Sequence, residues 1–85
     1  MPAITIYTKQ TCGYCHAAKT LLSKKNAAFE EISVDDDMEA QRNMSVQAGG
    51  RWTVPQIFIG ATHVGGCDEL YALDSAGQLD PLLAG

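Results

Sequence analysis

Residues 3–22 of this chain read AITIYTKQTCGYCHAAKTLL. The apolar run from Ala3 to Tyr7 is typical of a buried β-strand, and the run from Tyr14 to Lys25 has apolar residues at helical spacing. Cys12 and Cys15 therefore lie where a strand passes into a helix. Cysteines at positions i and i+3 of a first helical turn bring their sulfurs close enough for a disulfide. The junction is suited to thiol chemistry.

Cys12 would lie at the N-terminus of that helix, where free N–H groups and the helix dipole favour an anion. The thiolate is such an anion, and it is the reactive form of cysteine. Lys9 lies three residues before Cys12, and its positive charge would also favour the thiolate and attract anionic substrates. The competing interpretation of Lys9 is an ordinary exposed lysine.

The cysteine pair has four possible roles: a redox dithiol, half of a zinc site, a haem attachment site, or inert buried thiols. Cys12 to His16 match the C-x-x-C-H haem pattern, but a motif bracketed by strands argues against haem, and we expect His16 to face solvent. Zinc would need His63 and Cys67 as further ligands. A redox dithiol is the favoured interpretation.

The rest of the chain predicts an α/β fold in the order β-α-β-α-β-β-α. The first half forms a parallel βαβ unit, and a hairpin with a covering helix follows. Asn26 marks the end of the first helix, the acids at 35–37 cap the second, and Gly49-Gly50 stop it. The further predicted elements are strands Ala28–Val34, Gln56–Ile59 and Thr62–Val64, helices Met38–Ala48 and Asp68–Asp74, and a terminal turn capped by Asp80 with Pro81 at its first helical position.

The length and composition of the chain are typical of one globular domain, which we expect to span residues 1–85. The chain has 46% hydrophobic residues and a formal net charge of −4, which disfavours nucleic acid and acidic membranes as partners. We find no signal peptide and no apolar run that could span a membrane, so we expect a cytoplasmic location where thiols stay reduced. Three cysteines in that setting indicate catalysis or metal binding.

Two further segments have features that could form part of a binding site. Thr53-Val54-Pro55 precede a strand, and from the residues alone a trans bond at a strand edge is favoured, because about 5–6% of X–Pro bonds are cis. Gly65 to Asp68 end one strand and open a helix, so backbone N–H groups there could meet a carboxylate. The competing roles are a helix cap for Asp68 and a small buried hydrophobe for Cys67.

Three other side chains allow two interpretations each. Tyr14 could shield the cysteine pair or pack as a helix residue. Trp52 is expected to be exposed, because Arg51 and Thr53 flank it, and could then contact a partner. Arg42 is most simply a solvated helix residue.

Together these segments resemble the glutaredoxin family over essentially the whole chain, and most of all its small bacterial dithiol class. The motifs are Ile-Tyr-Thr-Lys before Cys12, the Cys-Gly-Tyr-Cys pair, residues 53–59 (TVPQIFI) and residues 65–70 (GGCDEL). A lone C-x-x-C is weak, but these motifs in this order are specific. The resemblance implies a thioredoxin-like fold with a four-stranded mixed sheet flanked by helices on both faces, and a cis bond before Pro55.

The resemblance also implies a glutathione groove. Lys9 and Arg42 would meet the glycyl carboxylate, the Val54 backbone would pair with the cysteinyl unit, and the γ-glutamyl end would meet the Cys67 N–H and Asp68. Arg51 is a further candidate anchor. The residues implied to contact glutathione are Lys9, Tyr14, Arg42, Thr53, Val54, Pro55, Gly66, Cys67 and Asp68.

The implied activity is glutathione-dependent thiol–disulfide exchange, with Cys12 as nucleophile and Cys15 as the resolving thiol. Glutathione is the implied co-substrate, and the implied partners are glutathionylated or disulfide-containing proteins, with ribonucleotide reductase a candidate. We expect a monomer without a tightly bound cofactor. Gly13 replaces a proline common in the family, and relatives without that proline can bind a [2Fe-2S] cluster between two subunits, with Cys12 as the protein's ligand. Cluster binding is therefore the alternative.

Overall fold

The computed structural model describes residues 2–85 as one four-stranded mixed sheet with helices on both faces. The strand order is β2-β1-β3-β4. The elements along the chain are β1 (Ile4–Thr8), α1 (Gly13–Lys24), β2 (Glu30–Ser33), α2 (Met38–Gln47), β3 (Gln56–Ile59), β4 (Thr62–Gly65), α3 (Cys67–Ser75) and α4 (Leu79–Ala84).

Strand β1 lies inside the sheet and sets the direction of its neighbours. It pairs in parallel with β2, with Thr8 opposite Ser33, and antiparallel with β3, with Ile6 opposite Ile57. Strands β3 and β4 form the predicted antiparallel hairpin. The predicted βαβ unit and hairpin are therefore confirmed. The carboxyl end of β1 leads directly to Cys12.

Each face of the sheet is covered by its own hydrophobic cluster. Ile6 and Ile57 point to the side where Leu22 of α1 and Leu70 of α3 pack, and each of these four side chains is fully buried. The other face carries a smaller cluster in which Met44 of α2 is buried. Burying an aliphatic side chain stabilises a fold by about 1.5–3 kcal/mol, so the larger cluster fixes α1 and α3, which carry the candidate site.

The predicted helix ends are confirmed at the backbone. Asn26 has φ +56°, its N–H donates to the Ser23 carbonyl, and the next N–H, that of Ala27, reaches the Leu22 carbonyl. This is the pattern of a Schellman end. At the start of α2, the Asp37 carboxylate accepts from the Ala40 N–H at 3.0 Å, as expected for an N-cap.

The chain end differs from the prediction. Helix α4 begins at Leu79 with Gln78 as its N-cap, so Asp80 and Pro81 lie inside its first turn. Leu79 and Leu83 are both buried in the larger cluster. Residues four apart share one helix face, so the earlier start brings both leucines to the core. The other predicted boundaries agree with the structure to within two residues.

In the part of the chain that the structure describes, no helix combines the length and the apolar character that crossing a bilayer requires.

Candidate active site

Cys12 and Cys15 meet at the N-terminus of α1. Cys12 is the N-cap residue, and its sulfur accepts the Cys15 backbone N–H at 3.0 Å. The two sulfurs form a disulfide, with Cα atoms 5.2 Å apart. The N-cap position places the Cys12 sulfur where helix N–H groups stabilise negative charge. The predicted dithiol geometry is therefore present.

The two sulfurs differ in access. Cys15 is 1% exposed, because it faces the core side of α1, whereas Cys12 is only partly buried. A disulfide-containing substrate can therefore approach Cys12 directly and cannot approach Cys15. The spacing of the pair in sequence does not reveal this difference by itself, because it depends on which side of α1 packs against the sheet.

The loop before β3 faces the cysteine pair. Its Val54–Pro55 peptide bond is cis, as the resemblance implies, and the trans bond favoured from the residues alone is wrong. The Val54 carbonyl oxygen lies 3.7 Å from the Cys12 sulfur. A bound molecule that reacts at Cys12 therefore also meets the backbone of this loop.

A surface cavity of about 210 Å³ lies between this loop, α1 and the start of α3. Seven of its nine lining residues belong to the set that the family resemblance implies to contact glutathione. The cavity is lined by Tyr14, Arg51, Thr53, Val54, Pro55, Gly66, Cys67, Asp68 and Glu69. Segments far apart in sequence are therefore brought together beside Cys12.

Two predicted contacts lie elsewhere. Lys9 and Arg42 are not among the residues that line the cavity. Lys9 is partly buried between β1 and α1, and its carbonyl accepts the Cys12 N–H at 3.2 Å. Arg42 is an exposed residue of α2. Neither cation therefore forms part of the cavity wall.

The aromatic residues near the site are exposed. Tyr14 is 68% exposed and lines the cavity, which agrees with a shielding position and not with a packed helix residue. Trp52 is 50% exposed, as predicted, and directly precedes the lining residue Thr53. Exposed aromatic side chains of this kind supply apolar contact area for a partner.

Glu69 organises the far wall of the cavity, and sequence reasoning missed it. Its carboxylate accepts the Gly66 N–H at 2.8 Å and a guanidinium N–H of Arg51 at 3.0 Å. Gly66 is the N-cap of α3 and Glu69 is its third residue, so half of a capping box is formed. The spacing Gly-x-x-Glu before an apolar run was the sequence signal that could have identified it.

The contribution of Glu69 to stability should depend on pH. The Gly66 N–H and then Arg51 hold the pKa of its carboxyl below the ordinary value of 4.5. A carboxyl with a depressed folded pKa stabilises the fold above its unfolded pKa, and this stabilisation is lost as pH falls from there through the folded value. We expect Glu69→Gln to lower the free energy of unfolding at neutral pH by about 0.5–1 kcal/mol, because the carboxylate is well exposed and screened by solvent.

Urea unfolding of the wild type and Glu69→Gln, at neutral pH and in acid, measures this effect. The difference between the two proteins should shrink as the wild-type carboxyl becomes protonated. A difference that stays constant over the whole acid range would contradict the assignment.

Cys67 is a free and buried thiol, as the hydrophobe interpretation predicts. Its burial, followed by the negative charges of Asp68 and Glu69, raises the pKa of its thiol. A raised pKa means less thiolate and therefore lower reactivity. Cys67 contributes cavity wall and backbone at the start of α3, and Cys12 remains the thiol suited to attack.

Residues 2–85 contain no complete set of metal ligands. No group of three or more histidine, cysteine, aspartate or glutamate side chains is arranged there to hold an ion. His16, the histidine of the haem-like pattern, is exposed as predicted.

The sheet order, the cis-proline loop and the N-capping cysteine define a thioredoxin-like thiol–disulfide oxidoreductase. Residues 4–64 match the family model described as Glutaredoxin. The chain is 57% identical to Glutaredoxin 3 of Escherichia coli K12 over 83 residues, covering 98% of this chain and 99% of that protein. It is 51% identical to a glutaredoxin of Pseudomonas aeruginosa over 84 residues, covering 99% of each chain. The chain belongs to the glutaredoxin family.

Solved structures agree with this assignment. The solution structure of glutaredoxin from Brucella melitensis superimposes with a TM-score of 0.85 at 51% identity, covering 98% of this chain and 89% of that one. A buckwheat glutaredoxin–glutathione complex superimposes with a TM-score of 0.86 at 32% identity, covering 98% of this chain and 77% of that one. The expected fold is thereby confirmed.

Proposed function

We propose that this protein reduces mixed disulfides between proteins and glutathione through Cys12, and protein disulfides through Cys12 and Cys15. The observation that carries the proposal is the accessible N-capping Cys12 beside a buried Cys15 and a cavity of mixed polarity. The family uses glutathione as co-substrate, and the buckwheat relative was solved as a glutathione complex.

The first step forms one disulfide and breaks another. The Cys12 thiolate attacks the glutathione sulfur of the mixed disulfide, and the protein sulfur leaves with the bonding electron pair and takes up a proton. The Cys15 N–H and the helix N-terminus stabilise the attacking anion. A second glutathione thiolate then attacks the glutathione sulfur on Cys12. Oxidised glutathione is released and the Cys12 thiolate is restored.

Protein disulfides need the second thiol. Cys12 attacks one sulfur of the substrate disulfide and forms a mixed disulfide with the protein. Cys15, held beside the same sulfur, then attacks Cys12 and releases the protein as a dithiol. Glutathione reduces the resulting Cys12–Cys15 disulfide. Glutaredoxin potentials of about −200 to −230 mV lie close to that of the glutathione pool, so this last step is feasible.

Glutathione recognition follows from the charges around the cavity. Glutathione carries two carboxylates and one ammonium group. We place the ammonium at Asp68 and the γ-glutamyl carboxylate at the Cys67 N–H, where the α3 N-terminus favours an anion. The cysteinyl unit pairs with the Val54 backbone, and the glycyl carboxylate extends toward Lys9 and Arg42. The remaining contacts come from Tyr14, Thr53, Pro55 and Gly66.

Asp68→Asn should weaken glutathione recognition without changing the thiols. We expect the KM for a glutathione mixed disulfide to rise by about 5-fold, which corresponds to the loss of about 1 kcal/mol from a solvent-exposed charged contact. Steady-state kinetics with a glutathionylated peptide measures it. Asp36→Asn is the matched control, because Asp36 is exposed, does not line the cavity, and has a φ of +52° that asparagine also adopts. Equal rises of KM in both variants would refute specific recognition by Asp68.

Cluster binding, the alternative function, draws no specific support from the described residues. One chain offers Cys12 and no complete ligand set within residues 2–85, so a [2Fe-2S] cluster would need ligands from outside the chain. A visible spectrum of freshly purified anaerobic protein tests the alternative. A colourless monomer favours glutathione chemistry alone, and a coloured dimer would favour the cluster.

The setting of the reaction completes the proposal. We place the protein in the cytoplasm, because its chemistry depends on a pool of reduced glutathione. We propose that it acts there as a monomer of one domain, residues 1–85. Ribonucleotide reductase is a candidate among its disulfide-containing partners.

A further inference from the structure

Gln56 is the buried polar side chain closest in sequence to the cavity loop. It is 0% exposed, although an amide is costly to bury without hydrogen bonds. Its amide nitrogen donates to the Thr53 carbonyl at 3.0 Å and to the Thr53 hydroxyl oxygen at 3.2 Å. Its amide oxygen lies 2.8 Å from Nε2 of His63. Every polar atom of the side chain therefore has a partner.

The orientation of the Gln56 amide follows from Thr53. A backbone carbonyl can only accept, so the Gln56 atom that faces the Thr53 carbonyl must be the NH₂ group. The amide oxygen then faces His63, and it too can only accept. Nε2 of His63 must therefore carry a proton. Either the Nε2–H neutral ring or the charged imidazole satisfies this bond, and the Nδ1–H neutral ring does not.

The His63 ring is itself held in place. It stacks on Phe58, with ring centroids 4.9 Å apart and an angle of 26° between the planes. Phe58 in turn makes an edge contact with Tyr7 at 5.9 Å. Packing against the sheet therefore fixes the position of the Nε2 donor of His63, which is one end of the chain of hydrogen bonds. The strands that carry these three rings carry no catalytic side chain.

The other end of this chain of bonds is the substrate cavity. Thr53 lines it and precedes Val54, whose carbonyl lies 3.7 Å from the Cys12 sulfur. Since the Thr53 hydroxyl oxygen accepts from Gln56, its own hydrogen is left to donate to another group, and Thr53 is exposed at the cavity. An oxygen acceptor on the bound molecule, such as a peptide carbonyl or carboxylate, suits this donor.

We propose that His63 and Gln56 are positioning residues that orient Thr53 for substrate binding through the Thr53–Gln56–His63 relay. The proposal deepens the proposed function, and its substrate arm rests on glutathione being the bound molecule. Neither residue touches substrate. His63 lies on β4, across the hairpin from the loop that it orients.

The tautomer of His63 tests the relay independently of substrate. A long-range ¹H–¹⁵N spectrum of the reduced protein should show Nε2 protonated at neutral pH. A neutral ring with its proton on Nδ1 would overturn the proposal. If the wild type failed to reduce glutathione mixed disulfides, the proposed function would fall, while this spectrum would still decide on the relay.

Kinetics test what the relay does. His63→Phe keeps a ring to stack on Phe58 but removes the donor, and we expect the KM for a glutathionylated peptide to rise by about 5-fold, the loss of one hydrogen bond. His63→Gln supplies an N–H at a similar reach and should stay within about 2-fold of wild type. A loss of thermal stability in His63→Phe with unchanged KM would reduce His63 to a structural role and overturn the proposal.

A double-mutant cycle with Thr53→Val completes the test. If the relay acts through the Thr53 hydroxyl, His63→Phe should change KM by less than about 2-fold in the Thr53→Val background. The same fold-change in both backgrounds would show independent effects and would also overturn the proposal.

Discussion

Replacing Cys12 with serine is expected to abolish reduction of glutathione mixed disulfides. A serine hydroxyl is a weak nucleophile at neutral pH without an adjacent base, so the rate should fall by about three orders of magnitude or more. Cys15 cannot substitute for it, because it is 1% exposed on the core-facing side of the first turn of α1. A coupled assay with a glutathionylated peptide, glutathione and glutathione reductase measures the loss.

Cys15→Ser is the matched control for this prediction. The mixed-disulfide reaction uses only Cys12, so this variant should keep activity within about 3-fold of wild type on a glutathionylated peptide. Its reduction of a protein disulfide should fall strongly, because no thiol remains to resolve the intermediate. Equal losses in both variants on the glutathionylated peptide would contradict the one-thiol step, and full activity in Cys12→Ser would refute the assignment of the nucleophile.

Much of the site could be predicted because its chemistry is local in sequence. Cys12 and Cys15 share one helical turn, and Asn26 and Asp37 end and begin helices through bonds to residues within a few positions. Such features depend on the local chain alone, so a pattern of residues is enough to find them. The N-cap of α3 is also a local feature, but it is Gly66 and not Asp68, the candidate cap named from the sequence.

Glu69 was missed although its bond to Gly66 is local, whereas the other missed features depend on contacts between distant segments. Arg51 meets Glu69 across 18 positions, and no local pattern pairs a loop residue with the third residue of a later helix. The bond between Gln56 and His63 depends on the register of β3 and β4. The cis bond before Pro55 is predicted only by the family resemblance, because most X–Pro bonds in folded proteins are trans.

Gly65→Ala is expected to cause the largest loss of stability among glycine substitutions near the site. Gly65 has φ +112°, a conformation that L side chains rarely adopt, and holding a non-glycine residue there costs about 1–3 kcal/mol. A methyl group would also meet the Glu69 carboxylate and lie 3.0 Å from the Arg51 guanidinium. Moving Glu69 would leave the Gly66 N–H without its partner, at a further cost of about 1 kcal/mol.

We therefore expect Gly65→Ala to lower the free energy of unfolding by about 2–4 kcal/mol, out of a total of about 5–15 kcal/mol for a domain of this kind. Urea unfolding measures it. Gly13→Ala is the matched control, since a methyl group at Gly13 meets no atom within 4 Å and its φ lies outside the left-handed region. Alanine in that first helical turn should leave stability unchanged or raise it by up to about 1 kcal/mol.

A second variant separates the two causes of the loss. In a Glu69→Ala background the carboxylate that the new methyl group would meet is absent, so the backbone cost at Gly65 and the contact with Arg51 remain. Gly65→Ala should then cost about 1 kcal/mol less than it does in the wild type. An equal cost in both backgrounds would assign the effect to φ and the Arg51 contact and would remove Glu69 from the explanation. Equal stabilities of the Gly65→Ala and Gly13→Ala proteins would refute both causes. Gly65 directly precedes the N-cap of α3. The displacement of Glu69 by the new methyl group should therefore also move the cavity wall formed by Gly66 and Cys67.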